Sequence, residues 1–208
     1  MSEMLHAADT LTKIGPAISI FGSARIKKDS PYYATSEKIA QGLAHAGFTV
    51  IAGGGPGIME AANKGAFEAG GMSIGLHIKL PKESKHNDFQ TISLPFQHFV
   101  SRKATFFMHS LAYVVLPGGF GTLDELFEAV TLMQTGKIPA GPVILVGSDF
   151  WSGLMTWIRT ELEQTALINP LDRHTLTIED DPQRVVEHLT HFYQDHPGVM
   201  ARQPNAPV

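Results

Sequence analysis

Short apolar runs of strand length alternate along this chain with longer stretches whose apolar residues recur at helical spacing. Three of the runs end in glycine-rich turns. Residues 17–21 (AISIF) meet Gly22-Ser23, and residues 48–52 (FTVIA) meet Gly53-Gly54-Gly55-Pro56-Gly57. Residues 112–116 (AYVVL) meet Pro117-Gly118-Gly119-Phe120-Gly121. Continuous apolar runs suit strands buried on both faces. Strands separated by helices of about 10–15 residues imply right-handed βαβ units. The expected fold is therefore α/β, a parallel sheet with helices on both faces. The remaining strands are expected at 72–78 and 143–146, with shorter ones at 91–94 and 174–178. Helices are expected at 31–46, 58–69, 99–111, 122–135, 150–167 and 182–193. Residues 80–90 read as a polar loop, residues 1–15 as a peripheral tail, and the Pro-rich stretch from Pro197 as a frayed end. With 208 residues, no repeat and no linker, a single domain is expected.

Ligands of such sheets bind beyond the carboxyl ends of the strands, where these glycines fall. The total of 20 is ordinary, but eight sit in the three turns: Gly22, Gly53, Gly54, Gly55, Gly57, Gly118, Gly119 and Gly121. At residues 53–57 the backbone can pass close to a ligand, and the helix that follows offers free N–H groups and a positive dipole end. A phosphate or ribose suits that place, although a tight turn without ligand has the same composition. The dinucleotide fingerprint fits poorly. Ile58 stands where its last glycine belongs, and no acidic residue ends the next strand. No Gly-Lys-Ser/Thr follows either turn, which disfavours ATP hydrolysis.

The turn at 117–121 opens a second helix, with Thr122 placed as N-cap or phosphate donor. Glu125, three residues on, completes either a capping box or a different arrangement. In the latter its carboxylate faces the sugar joined to the phosphate, and there stabilises positive charge at C1′ or positions a water. Asp124 is read as an electrostatic support of the helix start, and Glu128 lies close to the Glu125 face. Ser101-Arg102-Lys103 supplies a guanidinium that can grip a phosphate or carboxylate with two bonds, and a point charge beside it. Two solvated surface cations are the plainer alternative.

Composition removes several other classes. Lys plus Arg is 16 against 20 Asp plus Glu, a net charge of −4, so no broad basic face exists for nucleic acid. The absence of cysteine excludes disulfides, thiolate metal sites and thiol nucleophiles. No segment reads as a membrane span or export signal, and a cytoplasmic location is the expectation. His188 and His191, at i,i+3, read as a solvated helix face rather than a metal site.

The Gly-Gly-Gly turn, the Arg102-Lys103 pair and Pro-Gly-Gly-x-Gly-Thr-x-x-Glu at 117–125, in this order, resemble the Lonely Guy (LOG) family. Its members are cytokinin riboside 5′-monophosphate phosphoribohydrolases, long mislabelled as lysine decarboxylases. The resemblance runs from about Ile18 to Gly147. It implies a Rossmann-like, doubly wound parallel sheet, a homo-oligomer built on dimers, and neither metal nor organic cofactor. The implied reaction is hydrolysis of the N-glycosidic bond of a purine nucleoside 5′-monophosphate to free base and ribose 5-phosphate. By position, Arg102 and Glu125 match the catalytic pair. Gly118, Gly119, Gly121 and Thr122 match the phosphate turn, and Ser23, Gly54 and Gly55 the other nucleotide-facing turns, with Lys103 as a further substrate contact. Plant-like members carry Met-His-x-Arg-Lys where this chain has Phe99-Val100-Ser101-Arg102-Lys103. Phe21–Arg25 and the segment 80–87 resemble a bacterial-type branch instead. A pyridoxal-phosphate decarboxylase is disfavoured, since no lysine sits in a recognisable cofactor loop. A non-catalytic nucleotide- or pterin-binding module of the same fold would use the same glycine turns. It would not need Arg102 and Glu125 together.

Overall fold

The apolar runs form one seven-stranded, all-parallel sheet in the order β4-β3-β2-β1-β5-β6-β7. The computed structural model describes residues 2–79, 86–169 and 175–196. In chain order the elements are α1 (Ser2–Thr10), β1 (Ala17–Phe21), α2 (Pro31–His45), β2 (Thr49–Ala52) and α3 (Ile58–Glu68). Next come β3 (Ser73–Ile78), β4 (Ile92–Phe96), α4 (Phe99–His109), β5 (Ala112–Val115) and α5 (Phe120–Gln134). The chain continues through β6 (Val143–Leu145), α6 (Ser148–Trp157), a π-helical stretch Ile158–Glu163, β7 (Leu176–Ile178) and α7 (Pro182–Asp195).

Alternate strand residues face opposite sides, and two apolar cores result. Ile18, Ile20, Val50 and Val114 lie with Ile39, Leu43, Ala62 and Val185 of α2, α3 and α7. Phe21, Ile51, Tyr113 and Val115 lie with Ala7, Phe106, Leu126 and Trp151 of α1, α4, α5 and α6. Strand order reverses beside β1, which pairs with β2 on one side (Ile18↔Val50) and β5 on the other (Ile20↔Val114). A crevice opens at the carboxyl ends of strands at such a switch point. The doubly wound α/β expectation holds.

Boundaries differ from expectation in informative places. α1 was expected only as a tail. Of its residues just Ala7 is fully buried, so its helical periodicity carries little apolar signal. It is held instead by tertiary contacts. Glu3 accepts from the Gln97 backbone N–H at 2.6 Å and from the Ser101 hydroxyl, against the start of α4. β4 extends through Pro95, which an edge strand tolerates because one side of its ladder is unpaired. The helix expected at 150–167 begins at Ser148 and turns π-helical after Trp157. Residues 80–85 of the expected loop, His174 and the end from Pro197 lie outside the described residues.

Candidate active site

Backbone hydrogen bonds tie the three glycine-rich turns to one another. The Ser23 N–H donates to the Pro117 carbonyl at 3.1 Å, and the Ser23 carbonyl accepts from the Ile58 N–H at 3.1 Å. Ser23 thus links the turns after β1, β2 and β5 through its main chain. Its hydroxyl accepts from the Arg25 N–H at 3.0 Å. Gly57 has φ +68°, and a Cβ there would overlap the Ser23 carbonyl and the Ala24 backbone. No side chain can yield at that contact, so glycine is required. Gly118 makes room for the Thr122 side chain, which a Cβ would strike. Gly119 and Gly121 would meet nothing within 4 Å, so the protein itself gives no packing reason for glycine at either. Open space beside a helix start is what an anion needs.

α5 begins at Phe120 with Gly119 as its N-cap, two residues earlier than expected. Thr122 therefore lies inside the first turn, buried at 4% exposure, and no side chain caps the helix. The capping-box alternative for Thr122 and Glu125 is thereby removed. The first N–H groups of α5 have no acceptor within the helix and face the Gly118–Gly119 turn. Asp124 also falls past the first turn, so its expected support of the helix start is replaced by an ion pair with Lys103 at 2.9 Å.

Arg102 is 7% exposed, which sets aside the solvated-cation alternative for this residue. Its guanidinium is fixed on three sides. Nε donates to the Leu76 carbonyl at 2.7 Å, Nη1 donates to Glu125 Oε1 at 3.3 Å, and the group lies 5.1 Å from the Phe106 ring centre. A Cβ on Gly53 would come within 2.5 Å of Nη2, so that glycine makes space for the cation. Burial pushes the Glu125 carboxyl up to about 7, although the Arg102 guanidinium pulls it the other way. Burial likewise lowers Arg102 from its ordinary value, with Glu125 opposing. Desolvation is thus the largest influence on both partners, and a pair of this kind is weak evidence for stability. Retaining one at a strand-end crevice is the pattern of a functional site.

The structure brings together Ser23, Gly54, Gly55, Arg102, Gly118, Gly119, Gly121, Thr122 and Glu125. Lys103 is directed elsewhere, since its ammonium is held by Asp124 and by Glu128 at 2.6 Å. Gly54 has φ +72°, and a Cβ there would strike the His77 ring. His77 is 4% exposed, and burial lowers its imidazole to about 4, so it is neutral at pH 7. His77 belongs to none of the motifs read from the sequence. Asn87 and Gln90, which bond the Gly54 carbonyl, read in the sequence only as part of the polar loop at 80–90, with no role assigned to either. Among the described residues no cluster of His, Asp or Glu could hold a metal ion. Among them, too, no helix is long and apolar enough to cross a membrane.

At the switch point of the parallel, Rossmann-like sheet stand a helix start without a side-chain cap and the buried Arg102–Glu125 pair. Residues 59–189 match the family model described as "Possible lysine decarboxylase", and the chain belongs to this family, the LOG family. The cytokinin riboside 5′-monophosphate phosphoribohydrolase LOG5 of Arabidopsis thaliana is 28% identical over 190 residues, covering 89% of this chain and 82% of the relative. LOG1 of the same plant is 30% identical over 158 residues, covering 74% and 72%. Among solved structures, the molybdenum cofactor carrier protein of Chlamydomonas reinhardtii superposes with a TM-score of 0.67 at 21% identity, covering 86% of this chain and 99% of that one. The molybdenum cofactor binding protein of Rippkaea orientalis gives 0.62 at 23% identity, covering 83% and 94%. At these identities the structural likeness speaks for the fold alone.

Proposed function

We propose that the protein hydrolyses the N-glycosidic bond of purine nucleoside 5′-monophosphates, releasing free base and ribose 5-phosphate. The observation that carries this reading is the buried Arg102–Glu125 pair beside the α5 helix start. A carrier of nucleotide or pterin needs the helix start but has no use for a carboxyl held near neutrality. The 5′-phosphate occupies the Gly118–Thr122 turn, on the N–H groups and dipole of α5. The ribose then lies toward Glu125. The C1′–N bond breaks, water adds its hydroxyl at C1′, and its proton passes to the released base. Glu125, ionised, stabilises the positive charge that develops at C1′ and draws the proton from the attacking water. Arg102 keeps that carboxyl ionised and in place. Adenine release from AMP, followed by chromatography beside GMP, CMP and isopentenyl-AMP, tests the reading. No base release from any of the four would overturn it in favour of a carrier.

A pH dependence follows. Glu125 acts as carboxylate and titrates at about 7, so activity is full above that value and declines as pH falls through it. His77, at about 4, does not contribute to this limb. A rate profile flat between pH 6 and 8 would exclude Glu125 as the titrating group.

The same reading includes a homo-oligomer built on dimers, in the cytoplasm. Phe120 at the head of α5 is 91% exposed, and Phe99 and Val100 at the head of α4 are also uncovered in the single chain. Sedimentation of the purified protein is expected to give at least a dimer; a monomer at micromolar concentration would contradict it.

A further inference from the structure

Segment 87–90, between β3 and β4, forms a polar clamp on the Gly54–Gly55 turn. The Asn87 backbone N–H donates to the Gly54 carbonyl at 2.9 Å, and Gln90 Nε2 donates to the same carbonyl at 3.2 Å. Asn87 Nδ2 donates to the Gly55 carbonyl at 3.0 Å and to Asn63 Oδ1 at 3.1 Å. The orientation of each amide is fixed by its neighbours. Gln90 Nε2 also donates to the Asn87 carbonyl at 2.8 Å, which leaves Gln90 Oε1 to accept from His77 Nε2 at 2.7 Å. Asn87 Oδ1 accepts from the Phe89 N–H at 3.1 Å. Neither amide can be flipped without setting its oxygen against other acceptor oxygens, the Gly54 and Asn87 carbonyls for Gln90 and the Gly55 carbonyl and Asn63 Oδ1 for Asn87.

This clamp has a consequence for the other side of the turn. In a trans peptide the C=O and the following N–H point in opposite directions. With the Gly54 carbonyl held by Asn87 and Gln90, the Gly55 N–H points away from segment 87–90. Gly55 is buried, and no acceptor among the described residues is bonded to its N–H. A buried backbone donor without a partner is costly.

We propose that Asn87 and Gln90 are positioning residues that present the Gly55 N–H to an oxygen or nitrogen of the bound nucleotide, outside the phosphate turn. This rests on the proposed nucleotide reading and adds residues from the polar loop between β3 and β4, outside the glycine turns and the Arg–Lys pair. Neither side chain touches the reacting atoms, so losing the clamp weakens binding more than turnover.

The test compares wild type with Asn87→Ala and Gln90→Met for AMP affinity by calorimetry, and for KM and kcat in adenine release. Losing one aimed hydrogen bond is expected to raise Kd and KM for AMP about tenfold. The kcat should stay within about threefold, because the lost contact is shared by ground and transition state. A folded variant with wild-type Kd overturns the proposal. So does a fall in kcat at unchanged KM, which marks general loosening of the site. Should Asn87→Ala fail to fold, Gln90→Met carries the test, and failure of both to fold assigns the clamp a purely structural role. If wild type binds AMP without releasing adenine, the hydrolase reading falls and the clamp is judged on Kd alone. If wild type does not bind AMP, both fall.

Discussion

Glu125→Gln is expected to lower kcat for adenine release by about 10²–10⁴-fold, the usual cost of removing a positioned general base. Gln keeps the shape of the side chain and an oxygen for Arg102 Nη1, now 3.3 Å from Oε1. The phosphate turn is separate from this contact, so AMP affinity should change little. The substitution should also abolish the activity limb near pH 7. Initial rates with calorimetric affinities in parallel measure all three. Near wild-type turnover in the variant would remove Glu125 from the chemistry and leave it as a partner that keeps Arg102 buried.

Arg102→Ala is expected to act through Glu125 as well as directly. Breaking a buried ion pair by removing one partner typically costs about 3–5 kcal/mol while the other stays charged. Here the carboxyl can escape by binding a proton. It already sits at about 7, raised by burial from its ordinary 4.5, and without the cation it rises further. A carboxyl with a raised folded-state value holds a proton that the unfolded chain has released. Stability therefore falls as pH rises between the unfolded and folded values. The Tm deficit of Arg102→Ala relative to wild type should accordingly be small near pH 6 and grow toward pH 9. Residual activity should shift to more alkaline pH, with kcat/KM at pH 7 greatly reduced. Thermal melts and rate profiles over that range decide it. A pH-independent Tm deficit, or an unmoved activity limb, would show that Arg102 does not govern the charge on Glu125.

Much of this site was legible because it is local. The strand-to-helix turns at 53–57 and 117–121 declare themselves through glycines, and the Glu125 spacing suggested two roles. What could not be read was which role, because that depended on where α5 starts. A shift of two residues moved Thr122 off the cap and freed Glu125 to meet Arg102. Likewise Arg102 and Lys103 are neighbours of the same charge. One is buried against Leu76, Phe106 and Glu125 and the other braced by Asp124 and Glu128. Adjacent helix residues point about 100° apart, so the packing of α4, and not residue type, separates them.

From β1 onward the order of strands and helices was set by the sequence alone, since hydrophobic period and glycine stops are properties of short segments. So was the placing of a phosphate-type turn at a strand end, and the absence of thiol chemistry. Tertiary structure decided the rest. It docked α1 through the Glu3 carboxylate, whose partners at Gln97 and Ser101 lie far along the chain. It also folded Asn87 and Gln90 back onto the Gly54 carbonyl, and it moved the Glu125 carboxyl to about 7. Each of these depends on which distant groups exclude water or supply a hydrogen bond, and no local pattern records that.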